Sequence, residues 1–341
     1  MTLLLEGPDV VDDVRRREFI TGAALAALLV ACGDANGNGS PGGSGAGDGF
    51  PLTIDGAFGP TRIDRRPERV VAVGFMRDGD DALALGVTPV AMAANENFPE
   101  GFAPWTLEAL GSAKPAVLDA PEGLLPFERI AAAQPDLILA TDDRTLADYH
   151  DRLARIAPTL AYTIGAEAEP WQLRAERVGR ALGRSQQAAE VTQRIEQRIR
   201  STRQQHPEFE GKAVVTGPVV GGKIYLINRE TDAAAALQMA LGLTLSPKVT
   251  ALPESFPGRA EISFERISLL EADVIVLNHI TPDDRRAVES SELFQRLEAV
   301  RRGSYIPLES QVGISMGYPS LLSIPYALDR IVPLLAKALA A

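Results

Sequence analysis

The chain of 341 residues has one cysteine, three histidines and no excess of positive charge. A lone cysteine, Cys32, rules out a disulfide within the chain, so packing alone must hold the fold together. The histidines, at positions 150, 206 and 279, show no H-x-x-x-H spacing, and there is no C-x-x-C pair. A metal site built from local His and Cys ligands is therefore not expected. Against 34 Lys and Arg stand 45 Asp and Glu. A chain with that balance and no basic cluster is a poor match to nucleic acid or to an anionic membrane surface. Also missing is an apolar run long enough to cross a bilayer: the one ending at Ala31 has about 13 residues, where a spanning helix needs about 20.

That short run follows Arg15-Arg16-Arg17-Glu18-Phe19-Ile20. Basic residues before a short apolar stretch mark an export signal rather than a membrane helix. The twin arginine resembles a Tat signal, and Leu29-Val30-Ala31-Cys32 resembles a lipobox. Residues 1–31 are read as the signal peptide, and Cys32 as the lipidated first residue of the exported protein. Residues 32–49 are almost all Gly, Ser, Asn, Asp and Ala. They have too little apolar surface to offset the entropy of ordering, and read as a flexible tether. Residues 1–31 carry three basic and five acidic side chains, so the remainder keeps a net charge of −9 out of −11.

One segment occurs twice. Pro126-Phe127-Glu128-Arg129-Ile130 leads to Pro135-Asp136 and an apolar run ending at Ala140, and Ser263-Phe264-Glu265-Arg266-Ile267 leads to Ala272-Asp273 and a run ending at Leu277. The offset is 137 residues, too long for a solenoid repeat and suited to two lobes of similar design. Each copy reads as a short amphipathic helix, a sharp turn, an aspartate and a buried strand.

Around the first copy, short apolar runs at 69–73, 87–92, 116–118 and 136–140 alternate with helical patterns, including one over 145–154 with Leu146, Tyr149 and Leu153 on one face. Such alternation argues for a mostly parallel α/β lobe over 50–170. Residues 171–206 are a polar helical stretch interrupted at Gly183 and stopped by Pro207, read as a rigid connector. A second α/β lobe follows over 207–341, with a helix expected over 290–297. Its last helix, over about 319–339, should bend or break at Pro325 and Pro333.

Two motifs fail on inspection. Gly217 to Lys223 approaches a phosphate-binding loop, but Ile224 stands where Ser or Thr must hold magnesium, and the flanks read as two strands. Gly313-Ile314-Ser315-Met316-Gly317 matches a nucleophile elbow, yet all three histidines precede it, where that hydrolase fold needs a later one. A Ser315 hydrolase is the distant alternative, and a glycine-rich loop at a cleft edge is preferred. Loops that follow parallel strands line ligand crevices. Arg77, Arg144 and His279 occupy such loops. Trp105, Tyr225 and Tyr318 are candidate apolar walls, and Arg229 is a further candidate contact.

Taken in order, Pro67-Glu68-Arg69-Val70-Val71-Ala72-Val73, Leu85-Gly86-Val87-Thr88-Pro89-Val90, Gln134-Pro135-Asp136, Ile156-Ala157-Pro158-Thr159 and the two Phe-Glu-Arg-Ile segments resemble one family. It is that of the siderophore, haem and vitamin-B12 substrate-binding proteins of bacterial ABC importers, over about residues 52–339. The resemblance implies two Rossmann-like α/β lobes joined by a long connecting helix, the class III periplasmic-binding-protein fold, with ligand held between the lobes. It implies that Glu128 and Glu265 pair with arginines of the permease subunits. The stretch Ser320 to Asp329 resembles actinobacterial siderophore binders, which favours a ferric siderophore. The expected protein is a monomeric, membrane-anchored extracytoplasmic receptor, not an enzyme, with no cofactor or metal of its own, since iron travels inside the ligand. Arginines would pair with anionic chelate oxygens. A haem or corrinoid receptor is the alternative, with His279 or Tyr225 as axial ligand.

Overall fold

The apolar run that closes each repeated segment becomes a central strand of its own sheet. The computed structural model describes residues 49–119, 124–255 and 257–340. The signal segment, Cys32 and almost all of the tether lie outside those residues. The described residues all fall within one compact unit. A small antiparallel pair, β1 (Leu52–Ile54) and β2 (Thr61–Ile63), leads into the first sheet. That sheet contains β3 (Val70–Ala72), β4 (Ala91–Ala93), β5 (Ala116–Leu118), β6 (Leu137–Ala140) and β7 (Thr159–Ala161). Its order is β5-β4-β3-β6-β7, with every pair parallel. The second sheet contains β8 (Ala213–Val220), β9 (Lys223–Ile227), β10 (Thr244–Leu245), β11 (Arg259–Ile262), β12 (Val274–His279) and β13 (Tyr305–Leu308). Its order is β11-β9-β8-β12-β13, and β10 joins β8.

Both faces of each sheet are covered, which is why the central strands read as unbroken apolar runs. Val70, Leu137 and Leu139 share one core with Val274 and Val276 of the other sheet, through Val178, Ile195, Ile331 and Leu335 of the intervening helices. The alternate residues Val71, Ile138 and Ala140 face Ile130 and Leu153 on the far side. Val215, Ile275 and Leu277 likewise face Ile267, Leu270 and Phe294. The two repeat helices therefore sit in equivalent places, each on the sheet face away from the connector. The repeated aspartate also has one job in both lobes. Asp136 accepts the backbone N–H groups of Glu68 and Arg69 ahead of β3, and Asp273 accepts that of Ala213 at the start of β8. Each pins the edge of the neighbouring strand, satisfying donors that no ladder reaches.

The copies differ in winding. The first is an α-helix, Phe127–Ala132. The second is a 3-10 helix, Phe264–Leu270, with a break at Arg266. Phe264, Ile267 and Leu270 repeat every three residues, and a three-residue turn places them all on one face.

The connector breaks where its sequence does: it is two helices, Trp171–Ala181 and Ser185–Gln205, parted at Gly183 with φ 65°. Other expected elements change. The helix expected over 290–297 breaks at Ser291, whose hydroxyl accepts the N–H of Phe294 and caps a new turn. The preceding helix is Pro282–Glu289, closed at its start by a reciprocal Thr281 and Asp284 box. The last helix, Ser323–Leu339, runs on through Pro333. Pro325 lies in its first turn, where an N–H would have no partner, and Pro333 is exposed, so water can take the freed carbonyl. The glycine motif is the β8–β9 hairpin, with φ 58° at Gly221 and 74° at Gly222, the geometry of a tight two-residue turn.

Candidate functional site

At the carboxyl ends of β3, β4, β5 and β6 the chain opens into a hollow of about 1090 Å³. This is where ligands sit in open parallel sheets. Its walls are the strand-following loops: Gly74 and Phe75 after β3, Asn95 after β4, Asp119 after β5, and Asp142 to Thr145 after β6, with Tyr149 behind. All of these belong to the first lobe. The second lobe reaches the edge through Tyr318, whose ring lies 4.9 Å from that of Phe75.

Asp142 organises the wall. Its carboxylate accepts the N–H groups of Met76 at 2.9 Å and Arg77 at 2.7 Å, so it caps the helix Arg77–Ala84 from across the sheet. It also takes the Arg77 Nε at 2.6 Å. Gly74 is required by this crossing: a Cβ there would run into Asp78 Oδ2 and lie 2.7 Å from the Asp142 Cβ. Arg144 shares its Nη2 between Glu167 and the Tyr318 hydroxyl, the latter at 2.5 Å. Asp143 accepts from the Thr145 backbone and hydroxyl and from the Tyr149 hydroxyl. Burial and the Asp143 charge both push the Tyr149 phenol upward, so it stays a donor.

Of the residues singled out from sequence, Arg144 lines the hollow and Tyr318 meets it at the edge through Arg144 and Phe75. The others do not reach its wall. Arg77 is 3% exposed and held by Asp142 and the Ala166 carbonyl. It opens a helix rather than ending a loop, so its guanidinium turns back under the sheet edge. Trp105 is 4% exposed, donates to Asp80 at 2.7 Å, and packs against Phe98 and Tyr326. Tyr225 lies within β9 opposite Glu261. Arg229 pairs with Glu254. His279 is buried with its Nε2 shared with Tyr305 at 2.7 Å, and burial lowers its pKa. Ser315 sits inside the helix Ser310–Gly317, fully buried, donating to the Val312 carbonyl. The glycine-rich loop expected there is a helix, and its serine is not presented at an elbow. Among the described residues, no group of three or more His, Cys, Asp or Glu is placed to hold a metal ion. Glu128 and Glu265 are both exposed.

Three wall residues escape the sequence reading. Asn95 and Asp143 follow strand ends, as Arg144 does, but carry no charge pattern that stands out. Tyr149 shares the apolar spacing of Leu146 and Leu153 and so reads as core.

Behind the hollow, the helix Arg77–Ala84 buries three carboxylates. Asp80 accepts from Trp105, Thr106 and Ser320, and Asp81 from Arg174 and the Leu321 N–H. Asp78 accepts from Thr141 but leaves Oδ2 without a partner. Burial, reinforced by the Asp142 charge, raises Asp78 to about 7, and burial raises Asp80 to about 7 as well. An unfolded aspartate titrates near ~4. Between those values the native state holds more protons than the unfolded one, so these groups make stability fall as pH rises from about 4 to 7. Asp78→Asn keeps the Thr141 acceptor and removes the Asp78 share of that fall, leaving that of Asp80. Urea unfolding at pH 4.5, 6 and 8 should show the variant gaining on the wild type as pH rises, levelling above about 7. Parallel stability curves would contradict this.

The family model described as periplasmic binding protein matches residues 80–312. A periplasmic solute binding protein from Mycobacterium smegmatis is 31% identical, with 84% of this chain and 98% of that one covered and a TM-score of 0.73. PiaA of Streptococcus pneumoniae TIGR4, in complex with ferrichrome, is 28% identical, with 84% and 98% covered and a TM-score of 0.70. The siderophore periplasmic binding protein from the fuscachelin gene cluster of Thermobifida fusca is 25% identical, with 81% and 98% covered and a TM-score of 0.62.

Proposed function

The chain belongs to the periplasmic binding protein family, and on that premise we propose that it is a receptor for a ferric siderophore, serving an ABC-type permease in iron uptake. The observation that carries this reading is the open hollow of about 1090 Å³ at the ends of four parallel strands. That volume lies just above the usual range of small-molecule sites, about 300–1,000 Å³, and suits a ligand bulkier than a single ring system. Its wall offers hydrogen-bonding groups of both kinds, Asn95 and Thr145, with the rings of Phe75 and Tyr149 beside them. PiaA, which resembles this chain over most of its length, is known with ferrichrome, and the Thermobifida relative is a siderophore binder.

The receptor would be held at the outer surface of the cell membrane through lipidated Cys32. The support is the lipobox-like Leu29 to Cys32 and the tether behind it. No helix among the described residues is long and apolar enough to cross a membrane. Delivery to the permease would run through Glu128 and Glu265, exposed at matching positions of the two repeats.

The test is intrinsic fluorescence titrated with ferric siderophores of several classes, haem and cobalamin, with the metal-free chelators as controls and inner-filter correction. Trp105 touches Phe98, which lines the hollow, so a bound coloured chelate should quench it. Saturable quenching by a ferric chelate is expected. Saturation by haem or cobalamin alone would replace the ligand.

A further inference from the structure

The sequence suggested arginines waiting for an anionic chelate. The wall carries the opposite sign. Among the described residues, five carboxylates line the hollow, those of Glu96, Glu100, Asp119, Asp142 and Asp143, against one cation, Arg144. Part of this charge is cancelled from behind. Asp142 is paired with the buried Arg77. Asp119 lies 3.6 Å from Arg129. The cation itself is cancelled, because Arg144 is paired with Glu167. What is left uncompensated is Glu96, Glu100 and Asp143. Asp143 is held by the Thr145 backbone and hydroxyl and by Tyr149. Those are neutral donors, which orient the carboxylate without cancelling its charge. Glu96 and Glu100 are exposed, and neither makes an ion pair among the described residues.

A concave wall of one sign focuses its field into the hollow and raises the local concentration of ligands of opposite sign. The chelate charge follows from its donor groups. Three hydroxamates bind ferric iron with no net charge, so the periphery of the ligand decides its sign. Three catecholates leave the complex strongly anionic. We infer that this site, if it is the siderophore site proposed above, takes ferric hydroxamate chelates bearing a free ammonium, and that Glu96 and Glu100 select them. The neutral iron centre lies in the hollow, and the ammonium reaches the two glutamates at its mouth. Anionic chelates are disfavoured by the same groups.

The experiment uses one linear ferric trihydroxamate in three forms: with its terminal ammonium free, with that nitrogen acetylated, and with it succinylated. The iron centre is identical in all three, while the end group is positive, neutral or negative. A ferric tris-catecholate serves as a fourth ligand. Affinities are read by fluorescence quenching at low and high salt. The ammonium form should bind about tenfold more tightly than the succinyl form at low salt, with the acetyl form between them. The gap should narrow at high salt and in Glu96→Gln with Glu100→Gln, whose positions are exposed and leave the fold untouched. Equal affinities, a preference for the succinyl form, or binding of the tris-catecholate alone would overturn the charge selection while leaving a siderophore receptor in place. No binding by any of the four, with a ligand of another class bound in the titration proposed above, would overturn this inference alone; no binding by any ligand of either panel would overturn the receptor reading with it.

Discussion

Replacing Glu128 and Glu265 together with alanine is expected to abolish iron uptake while leaving ligand affinity unchanged. Both side chains are exposed, in the first turn of their repeat helices. Neither lines the hollow, so ligand binding has no reason to respond. A close charge pair across an interface contributes about 1.5 kcal/mol or more. Losing two such pairs removes about 3 kcal/mol, or on the order of a hundredfold in docking affinity. Each single variant should lose part of the transport rate, and a Gln variant should behave like Ala if charge rather than shape is recognised. The measurement is uptake of radioactive iron by cells carrying the variants, set beside quenching titrations on the purified proteins. Normal transport by the double variant would defeat the docking assignment. Loss of ligand binding would show instead that the helices had been disturbed.

The lobes were legible because the sequence states them twice. Ile138 and Ile275 stand at the same step of a repeated segment and occupy matching central strands, each with its own cover of helices. The site was less legible, and the reason is physical. A residue that follows a strand can point into the crevice or back under the sheet, and residue type does not say which. Arg144 does the first. Arg77 does the second, because the helix it opens carries its side chain to Asp142. Trp105 looks like a wall residue by its loop position, yet its indole N–H has a buried acceptor in Asp80. The connector misleads in the same way. Its sequence reads as a polar helical stretch, but Arg174 is 1% exposed and Arg177 is 4% exposed. Arg177 holds Glu169 and the carbonyls of Asp55 and Ala161. Periodicity separates apolar from polar positions, but it does not separate polar groups facing water from polar groups facing a buried partner.

Arg174 is therefore where a single change should harm the fold most. Its Nε donates to Asp81 Oδ2 at 2.9 Å and its Nη2 to the Pro319 carbonyl at 2.5 Å. Asp81 in turn accepts the Leu321 N–H at 2.9 Å. These bonds fasten the segment before the last helix, from the second lobe, to the first lobe beside the hollow. Asp81 is fully buried, so neither solvent nor salt screens the pair. Arg174→Ala leaves that carboxylate with one backbone donor and without its ion-pair partner. Breaking a buried pair from one side costs about 3–5 kcal/mol, a large part of a typical stability of about 5–15 kcal/mol. Removing both charges is a different matter, since the desolvation of two ions is then relieved. Arg174→Met with Asp81→Asn keeps an acceptor for Leu321, and should recover at least half of the loss. Urea unfolding of the wild type, the single variant and the double variant decides it. A loss under about 1 kcal/mol in Arg174→Ala, the size of an exposed pair, would show that the joint does not depend on this charge. A double variant no more stable than the single one would place the loss in packing rather than in the stranded carboxylate.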